Sequence, residues 1–453
     1  MEEARALVGF INGIAFEDFP IEVTDKAKEL ILDQLGCQLS GSTLPWSKIT
    51  YEYIRDNAGP SGESTIVKYG LKTIAQDAAF ANANFGNGIM ADDTDSVCHG
   101  HLGSIIIPAA LAVGEREGAT GKEFIRAVIV GYDVASRIGA ASPLVVRRGF
   151  HPGSILGTFG AAASASILLG LDERQALNAL AIAGSHSSGL MEYARSGGSV
   201  NRLHAGMAAQ GGIRAALLAQ RGFSGPATIL EGERGFLHAF SGEYLLNEIT
   251  QGLGQEFRIL LTDLRSHCCC GTQHAGLDAV STITGKHTIY PSEIEKIIIG
   301  TTSSALRTVS KVIVPKDITS AQFSGRFGIA LRMIKGGNGI GDYTEKNVRD
   351  PEILKLVEKI HYVLDEDLER IPSSDNPARV TITLSGSTVY EETVPAPRGS
   401  IKNPMTREEL LRKFREFASM VVPEQQIETL IKTVKNLNDI DNIRELIQLL
   451  VPV

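Results

Sequence analysis

The sequence is poor in the features that mark secreted, membrane-spanning and nucleic-acid-binding proteins. Its 453 residues include only five cysteines, three of them consecutive, which do not form a disulfide framework and fit a reducing compartment. No uninterrupted apolar run reaches the roughly 18 residues that a membrane span needs, and the acidic start Met1-Glu2-Glu3 is unlike a secretory signal. The net charge of −8 and the lack of a basic run argue against nucleic acid as a partner. We therefore expect a cytoplasmic protein.

Signatures of nucleotide and metal sites are also missing. The glycine fingerprint GxGxxG does not occur, so a dinucleotide site has no support. Cys268, Cys269 and Cys270 are adjacent, whereas zinc ligands are usually two or more residues apart, so three consecutive thiolates do not readily point at one metal. A cysteine nucleophile in this run is an alternative, although packing in the interior is the commoner role of such residues. The sequence therefore predicts no metal site.

Helical periodicity, by contrast, runs through most of the sequence. Alanine and glycine dominate the interiors of successive helices between residues 105 and 240, which permits helix axes to approach closely. After about residue 263, two segments at 295–302 and 378–384 have the pattern of strands, and the second returns as a hairpin through 389–394. A chain of this length is also expected to form two domains.

These patterns predict a mostly-α fold, with a large all-α helical domain formed by both chain ends and a smaller α+β domain. The predicted limits are 1–262 with 398–453 for the helical domain and 263–397 for the α+β domain, because the apolar faces of the C-terminal helices need the N-terminal helices as a partner. The predicted helices lie at 3–14, 22–40, 46–57, 74–86, 105–117, 121–139, 153–170, 173–185, 202–221, 224–231, 273–285, 320–336, 350–360, 406–418, 423–435 and 440–449.

A polar segment, Asn87–Ser104, interrupts the apolar pattern of the helical region. Within ten residues it holds three aspartates, a threonine, a cysteine and two histidines, and it is flanked by alanine-rich and aliphatic helices. Buried carboxylates and imidazoles cost free energy unless they have partners, so a segment of this kind often forms a site. The alternative is a solvated loop with a helix cap.

Three further segments carry histidines or arginines beside glycine. His151 precedes a helix with small residues in its first turns, where free backbone N–H groups could face an anionic ligand, or where the ring is simply a cap or packed. Residues 195–206 form a glycine-rich segment with two arginines, which suits a carboxylate or phosphate but also an exposed loop. Residues 265–274 hold the cysteines between an arginine and a histidine at the predicted domain boundary.

In their order and spacing, these segments resemble the MmgE/PrpD family over nearly the whole chain. The resemblance is carried by Ile31–Cys37, Asp92-Asp93-Thr94 with His101, Gly149–His151, Arg202–Gly206 with Ala208-Ala209, Ala321–Ser324 and Asn403-Pro404. It implies a helical domain built from both chain ends, a smaller α+β lid, a site between them, homodimerisation and no cofactor. It also implies activity on small carboxylic acids, as in 2-methylcitrate dehydratase, cis-aconitate decarboxylase and iminodisuccinate epimerase.

The resemblance also matches individual residues to the family's site motifs. The matched residues are Asp92, Asp93, Thr94, His101, His151 and His274. Five positions depart from the family pattern, where an aspartate, a proline, a lysine, a lysine and an arginine are usual: Met90, Leu102, Asn201, Arg265 and Gly271, respectively. Losing the basic residues at Asn201 and Gly271 removes partners for substrate carboxylates, each worth about 1.5–3 kcal/mol.

The shared chemistry of such sites is proton movement at a carbon next to a carboxylate. Histidine suits this chemistry because an unperturbed pKa near 6.5 makes both protonation states accessible at neutral pH. We therefore predict His101 and His151 as the catalytic acid–base pair, with Asp93 orienting one imidazole or acting itself. The predicted substrate-binding residues are Asp92, Thr94, Arg195, Asn201, Arg202, Arg265 and His274.

The sequence thus predicts a cofactor-independent lyase that acts on a small di- or tricarboxylic acid, of 2-methylcitrate dehydratase or cis-aconitate decarboxylase type. Its expected partners are that substrate and a second copy of the chain in a homodimer, without nucleic acid or a membrane. One alternative is an isomerase or epimerase of a dicarboxylate, which the missing basic residues favour. Another alternative is a binding protein that kept the fold without catalysis.

Overall fold

The computed structural model describes residues 2–59, 61–372 and 375–453. Helices account for 57% of the chain and strands for 8%, which confirms the predicted mostly-α fold. The chain divides into two compact units. Unit 1 contains the chain up to Met191 with Val200–Thr262 and Thr406–Val453, and unit 2 contains Glu192–Ser199 and Asp263–Met405.

The predicted domain limits differ slightly from these units. The prediction assigned residues 192–199 to the helical domain and residues 398–405 to the same domain, whereas both segments lie in unit 2. It stays a prediction that the chain forms two independently folding domains with the limits 1–262 with 398–453 and 263–397.

Up to residue 262 the chain is dominated by helices. They are α1 (Glu2–Gly13), α2 (Ile21–Gly41), α3 (Pro45–Asn57), α4 (Ala75–Gly88), α5 (Gly103–Glu117), α6 (Gly121–Ala141), α7 (Pro152–Leu168), α8 (Glu173–His186), α9 (Tyr193–Ser196) and α10 (Asn201–Gln220). Short extended pieces are β1 (Ser64–Thr65), β2 (Lys72–Thr73), β3 (Thr94–Asp95) and β4 (Thr262–Asp263). Single helical turns of other types are Phe16–Asp18, Leu237–Ser241, Leu246–Ile249 and Arg258–Leu261.

The remainder of the chain adds shorter helices. They are α11 (His274–Lys286), α12 (Ser303–Val309), α13 (Ile318–Gln322), α14 (Gly325–Lys335), α15 (Glu345–Val348), α16 (Pro351–Val357), α17 (Arg407–Ala418), α18 (Glu424–Lys435) and α19 (Arg444–Gln448). Single 3-10 turns are Gly271–Gln273, Pro291–Glu293, Leu368–Arg370 and Leu437–Asp439. None of the described helices combines the length and the apolar content needed to cross a membrane.

The C-terminal half of helix α2 lies in the interior of unit 1. Every residue from Leu30 to Gly41 is buried, the polar ones included. The helix packs against α4 and α17. Gly36 makes room for α17, because a Cβ atom at this position would lie 3.1 Å from Phe414 Cδ2. The predicted packing of the C-terminal helices on the N-terminal ones is therefore confirmed.

Helices α6 and α7 cross where both carry glycine. A Cβ atom on Gly160 would lie 2.7 Å from the Gly131 carbonyl oxygen and 2.8 Å from Ile106 Cδ1. Helix α10 approaches α7 in the same way, since a Cβ atom on Gly212 would lie 2.7 Å from the Thr158 oxygen. Small residues thus let the backbones of α7 and α10 meet, and both helices carry predicted site residues at their N-terminal ends.

Unit 2 contains a four-stranded mixed sheet in the order β6-β5-β7-β8. Its strands are β5 (Ile294–Thr301), β6 (Ile360–Leu364), β7 (Ala378–Leu384) and β8 (Val389–Val394). Strand β5 is parallel to β6 and antiparallel to β7, and β7 and β8 form the predicted hairpin. Helix α11 covers β7 and β8.

One helix predicted from the sequence is wrong, and another is shorter than predicted. Residues 224–231 form turns around Pro226, because proline and the nearby glycines favour turn conformations over a continuous helix. The predicted helix 350–360 ends at Val357 and is followed by β6, whose residues pair with β5 instead of extending the helix. A short apolar segment does not by itself distinguish helix from strand, so the neighbouring strand decides.

The predicted helix 320–336 is also divided in the structure. Helix α13 ends at Gln322 and α14 begins at Gly325. The Ser324 hydroxyl accepts a hydrogen bond from Phe327 N at 3.2 Å, which is the contact of a helix N-cap. A capping serine thus starts a new helix within the predicted one.

The α6–α7 crossing gives a testable prediction. Gly160→Ala would place a methyl group against the Gly131 oxygen, so we expect the free energy of unfolding to fall by about 1–3 kcal/mol, the usual cost of overpacking. Urea denaturation followed by circular dichroism measures this change. Gly9→Ala in α1 is the control, because the described residues leave open space around its Cβ position. Equal stability of the Gly160→Ala variant and the parent would contradict the close approach.

Candidate active site

The loop between α4 and α5 is shaped by Asp95. Its carboxylate accepts hydrogen bonds from Val97 N at 2.9 Å and from Cys98 N at 2.7 Å, and its main-chain N–H donates to the Gly100 oxygen at 2.9 Å. Within this turn His99 adopts a left-handed φ of 56°. Asp95 is therefore a structural residue of the loop that carries the predicted site.

Asp93 is buried at the N-terminus of α5. Its two carboxylate oxygens accept hydrogen bonds from Gly103 N at 3.0 and 3.1 Å, and Oδ2 also accepts one from the Tyr132 hydroxyl at 2.9 Å. Burial and the nearby Asp92 raise the pKa of Asp93 from 3.8 to about 8, although the hydrogen bonds from Tyr132 and Gly103 act in the opposite direction. Asp93 therefore holds a proton over most of the neutral pH range.

His101 is held by the main chain of Asp93. Its Nδ1 lies 2.7 Å from the Asp93 carbonyl oxygen and 3.3 Å from the Thr94 hydroxyl. A carbonyl oxygen only accepts, so Nδ1 carries a proton in both charge states of the ring, and Nε2 is the atom that gains or loses one. Asp93 thus contacts an imidazole, as the sequence suggested, but it does so through its main-chain oxygen.

His151 immediately precedes α7 and lies beside His101. The centroids of the two rings are 6.4 Å apart. A Cβ atom on Gly153, in the first turn of α7, would lie 3.0 Å from His101 N, so a glycine permits this approach. Burial, together with the nearby His204 and His101, holds the pKa of His151 well below its usual 6.5. His151 is therefore neutral at physiological pH.

His204 on α10 is a site residue that the sequence analysis did not assign. Its Nδ1 lies 3.1 Å from His151 Nδ1, and both side chains are buried. Two ring nitrogens at this distance share one proton, so one ring donates and the other accepts. Burial also lowers the pKa of His204. A signal was present, because His204 follows Asn201 by three residues and therefore lies on the same helix face.

Arg202, a predicted substrate-binding residue, contacts other residues of unit 1 through its side chain. Its Nη1 donates a hydrogen bond to the Gly88 oxygen at 2.8 Å, and its guanidinium lies 4.6 Å from the centroid of the Trp46 ring. The side chain is buried. Arg202 therefore holds the C-terminal end of α4, which leads into the loop with Asp93.

Asp92 and Asn201 are also buried in unit 1. Asp92 Oδ2 accepts a hydrogen bond from Asn87 Nδ2 at 2.9 Å. Asn201 Oδ1 has no hydrogen-bond partner among the described residues, although it is buried. A buried acceptor without a partner costs free energy, so this oxygen is suited to a donor on a ligand.

In unit 2, Arg265 and His274 converge on one carbonyl oxygen. Arg265 Nη1 donates to the Cys269 oxygen at 3.3 Å, and His274 Nε2 lies 3.3 Å from the same oxygen. Both side chains are buried, whereas Arg195 on the short helix α9 is exposed. The structure thus brings Arg265 and His274 together, whereas Arg195 lies at the surface.

The three consecutive cysteines belong to a loop that is fixed by main-chain contacts. Cys268 N donates to the Asn338 oxygen at 2.8 Å, and Cys270 N donates to the Gln322 oxygen at 3.0 Å. Burial raises the pKa of the Cys269 thiol far above its usual range, so the thiol stays protonated and is a poor nucleophile. In the part of the chain that the structure describes, no group of three or more His, Cys, Asp or Glu side chains could hold a metal ion.

His267 forms a pair with Asp278 that the sequence analysis did not identify. His267 Nε2 lies 2.9 Å from Asp278 Oδ1, and Asp278 Oδ2 accepts a hydrogen bond from Arg398 N at 2.7 Å. The centroids of the His267 and His274 rings are 5.0 Å apart. The pair therefore adds a second imidazole beside the predicted His274, and no short spacing in the sequence points to it.

Comparison with known proteins defines the class of the chain. The MmgE/PrpD N-terminal domain matches residues 5–248, and the MmgE/PrpD C-terminal domain matches residues 267–439. The chain therefore belongs to the MmgE/PrpD family, as its motifs predicted.

Its relatives in this family include cis-aconitate decarboxylases. The enzyme of Aspergillus terreus is 28% identical over 465 residues, which cover 97% of this chain and 94% of the relative. The human cis-aconitate decarboxylase is 26% identical over 461 residues, which cover 97% and 92% of the two chains. A cis-aconitate decarboxylase-like protein of Aspergillus oryzae is 26% identical over 470 residues, which cover 98% and 96%. The lyase class predicted from the sequence is thereby confirmed.

The buried Asp93 makes stability depend on pH. Folding raises its pKa from 3.8 to about 8, so the folded state binds this proton more tightly than the unfolded state. The contribution of this proton to the free energy of unfolding is fully present below the unfolded pKa of 3.8, and it is lost as the pH rises through the folded pKa of about 8. The free energy of unfolding should therefore fall by up to about 1.4 kcal/mol per pH unit over this interval.

Asp93→Asn, which mimics the protonated side chain, should lack this slope. Urea unfolding of both proteins between about pH 5 and pH 8 measures the difference, and the other titrating groups contribute equally to both. Parallel curves for the parent and the variant would contradict the raised pKa of Asp93.

Proposed function

We propose that this lyase of the MmgE/PrpD family removes carbon dioxide from a small unsaturated tricarboxylic acid of the cis-aconitate type. Full-length similarity to cis-aconitate decarboxylases supports this substrate class. The observation that carries the chemistry is the contact of His101 Nδ1 with the Asp93 carbonyl oxygen. Because of this contact, His101 exchanges protons only through Nε2.

The proposed reaction breaks one carbon–carbon bond and forms one carbon–hydrogen bond. Carbon dioxide departs from cis-aconitate, and the electron pair of the broken bond stays on the substrate as a carbanion delocalised through the neighbouring double bond. One proton then adds to carbon. The site must therefore donate one proton in each turnover and recover it from solvent afterwards.

His101 and His151 suit different parts of this reaction. As an imidazolium, His101 donates a proton from Nε2 while Nδ1 stays bonded to the Asp93 oxygen. His151 is kept neutral by burial and by its contact with His204, so it is able to act as the base of the pair, which takes up the proton that restores the site after each turnover. The Asp93 carboxyl, with a pKa of about 8, is a further proton donor in the same unit.

The carboxylates of the substrate need cationic or hydrogen-bonding partners. We assign this role to Arg265 and His274 in unit 2, where a charge-assisted contact is worth about 1.5–3 kcal/mol. In unit 1, the buried Asn201 Oδ1 supports a contact with a hydroxyl or a protonated carboxyl of the ligand. The further proposed binding residues are Asp92, Thr94, Arg195 and Arg202.

A second candidate function is the epimerisation or isomerisation of a smaller dicarboxylate. The observation that favours it is the identity of two residues, Asn201 and Gly271, at positions where the family usually carries basic side chains. Fewer cations match fewer carboxylates on the substrate. Epimerisation would also use the two histidines, but it would release neither carbon dioxide nor water.

We further propose that the active protein is a cytoplasmic homodimer that needs no cofactor, because the family resemblance implies both the assembly and the chemistry. Light scattering on the purified protein should give twice the chain mass of 48.5 kDa. Turnover should survive dialysis against a chelator. A monomer with full activity would contradict the assembly, and loss of activity that a metal restores would contradict the chemistry.

Incubation with cis-aconitate in deuterated water tests the proposed reaction. We expect one molecule of carbon dioxide for each substrate consumed, and one deuterium bound to carbon in the product, because the proton comes from the site and ultimately from solvent. Release of water without carbon dioxide from 2-methylcitrate would favour a dehydratase instead. Deuterium exchange into a dicarboxylate without loss of mass would favour the epimerase, and binding without turnover would favour a non-catalytic protein.

Two histidine variants test the assignment of the acid–base groups. His101→Asn and His151→Asn should each lower kcat by about 100-fold or more, the usual contribution of a general acid or base. His99→Asn in the same loop is the control, because His99 is exposed and asparagine tolerates its left-handed φ. Full turnover by both the His101 and the His151 variants would refute the assignment.

A further inference from the structure

A lysine of the C-terminal tail reaches the loop that carries Asp93. Lys413, on α17, donates a hydrogen bond from Nζ to the Ala91 oxygen at 2.8 Å, and the same atom lies 2.7 Å from Asp33 Oδ1. The side chains of Lys413 and Asp33 are 10% and 2% exposed, so this ion pair lies in the interior of unit 1. Removing one partner of such a buried pair strongly destabilises the folded protein.

A shift of the Ala91 carbonyl would move the predicted site residues that follow it. This carbonyl belongs to the residue directly before Asp92 and Asp93, and it follows Met90, which adopts a left-handed φ of 59°. A methionine in this region of conformational space is unusual and needs support from its surroundings. Lys413 provides such support on the carbonyl side of the turn.

Lys413 also bears on the charge around Asp93. The carboxylates of Asp33 and Asp92 are buried like that of Asp93, and both raise the pKa of Asp93. The Tyr132 hydroxyl and the Gly103 N–H also face the Asp93 carboxylate, and the imidazole of His101 contacts its main-chain oxygen. Lys413 places a positive charge against Asp33 and so offsets one of the two neighbouring negative charges.

We propose that Lys413 is a positioning residue of the acid–base site, which holds the Asp92–Asp93 turn through the Ala91 oxygen and neutralises Asp33 beneath it. The catalytic consequence rests on the proposed function, whereas the effect on the charge of Asp93 does not. In this role, helix α17 would complete the electrostatic surroundings of a loop that lies more than 300 residues away in the chain.

Two single variants should move the pKa of Asp93 in opposite directions. Lys413→Met removes the positive charge against Asp33 and should raise this pKa, whereas Asp33→Asn removes the negative charge and keeps the ammonium, so it should lower the pKa. Each shift should be roughly one pH unit, the scale of one unit charge acting across the interior at an effective dielectric constant of about 20. The double variant should return the pKa towards the parent value.

The pKa of Asp93 is obtained without reference to activity. For each background, the pH dependence of urea unfolding is compared with that of the same protein carrying Asp93→Asn, and the difference reports the titration of Asp93 alone. Arg415→Met is the matched control, because Arg415 lies on the same helix and pairs with the exposed Glu428. We expect no shift for this control.

If Lys413 only packs the tail, both single variants should lose stability without opposite shifts in the pKa of Asp93. That result would overturn the proposal. If Lys413→Met does not fold, Asp33→Asn and the double variant still give the sign of the effect. In turnover, the limb of the pH–kcat profile that reports Asp93 should move with the pKa of each variant. Opposite shifts in the pKa of Asp93 without turnover of any tested carboxylate would refute the proposed function and leave the positioning role standing.

Discussion

Where α6 crosses α7, a Cβ atom on Gly160 would lie only 2.7 Å from the carbonyl oxygen of Gly131. The two backbones touch, and α10 meets α7 in the same manner at Gly212. Side chains of ordinary size would separate these helices by several ångströms. The contact of His151 with His204 depends on this approach, because each histidine lies at the N-terminal end of one of the packed helices.

Closely packed backbones leave little room for water around the site, so the pKa values of its titratable groups shift. Asp93 gains affinity for its proton, whereas His151 loses affinity, because burial disfavours the charged form of both. The same burial makes compensation necessary, and the ion pair of Lys413 with Asp33 supplies it at the base of the loop.

Much of this could be predicted from residues that are near one another in the chain. The helical periodicity predicted most of the helices, and the hairpin formed by β7 and β8 followed from alternation around a turn. The motifs around Asp93 and His101 predicted the family. The helix predicted at 350–360 forms only over Pro351–Val357, because pairing of β6 with β5 overrode a local pattern at its C-terminal end that suits either structure.

The sequence by itself determined which chemical groups are available and which segments carry them, since composition, periodicity and spacing are local properties. Only the tertiary structure decided how those groups act. Tyr132 is 39 residues from the Asp93 carboxylate that it contacts, His204 is 53 residues from His151, and Lys413 is 322 residues from Ala91. Burial and hydrogen bonding between such distant residues set the charge of each group, and neither is written in the local pattern.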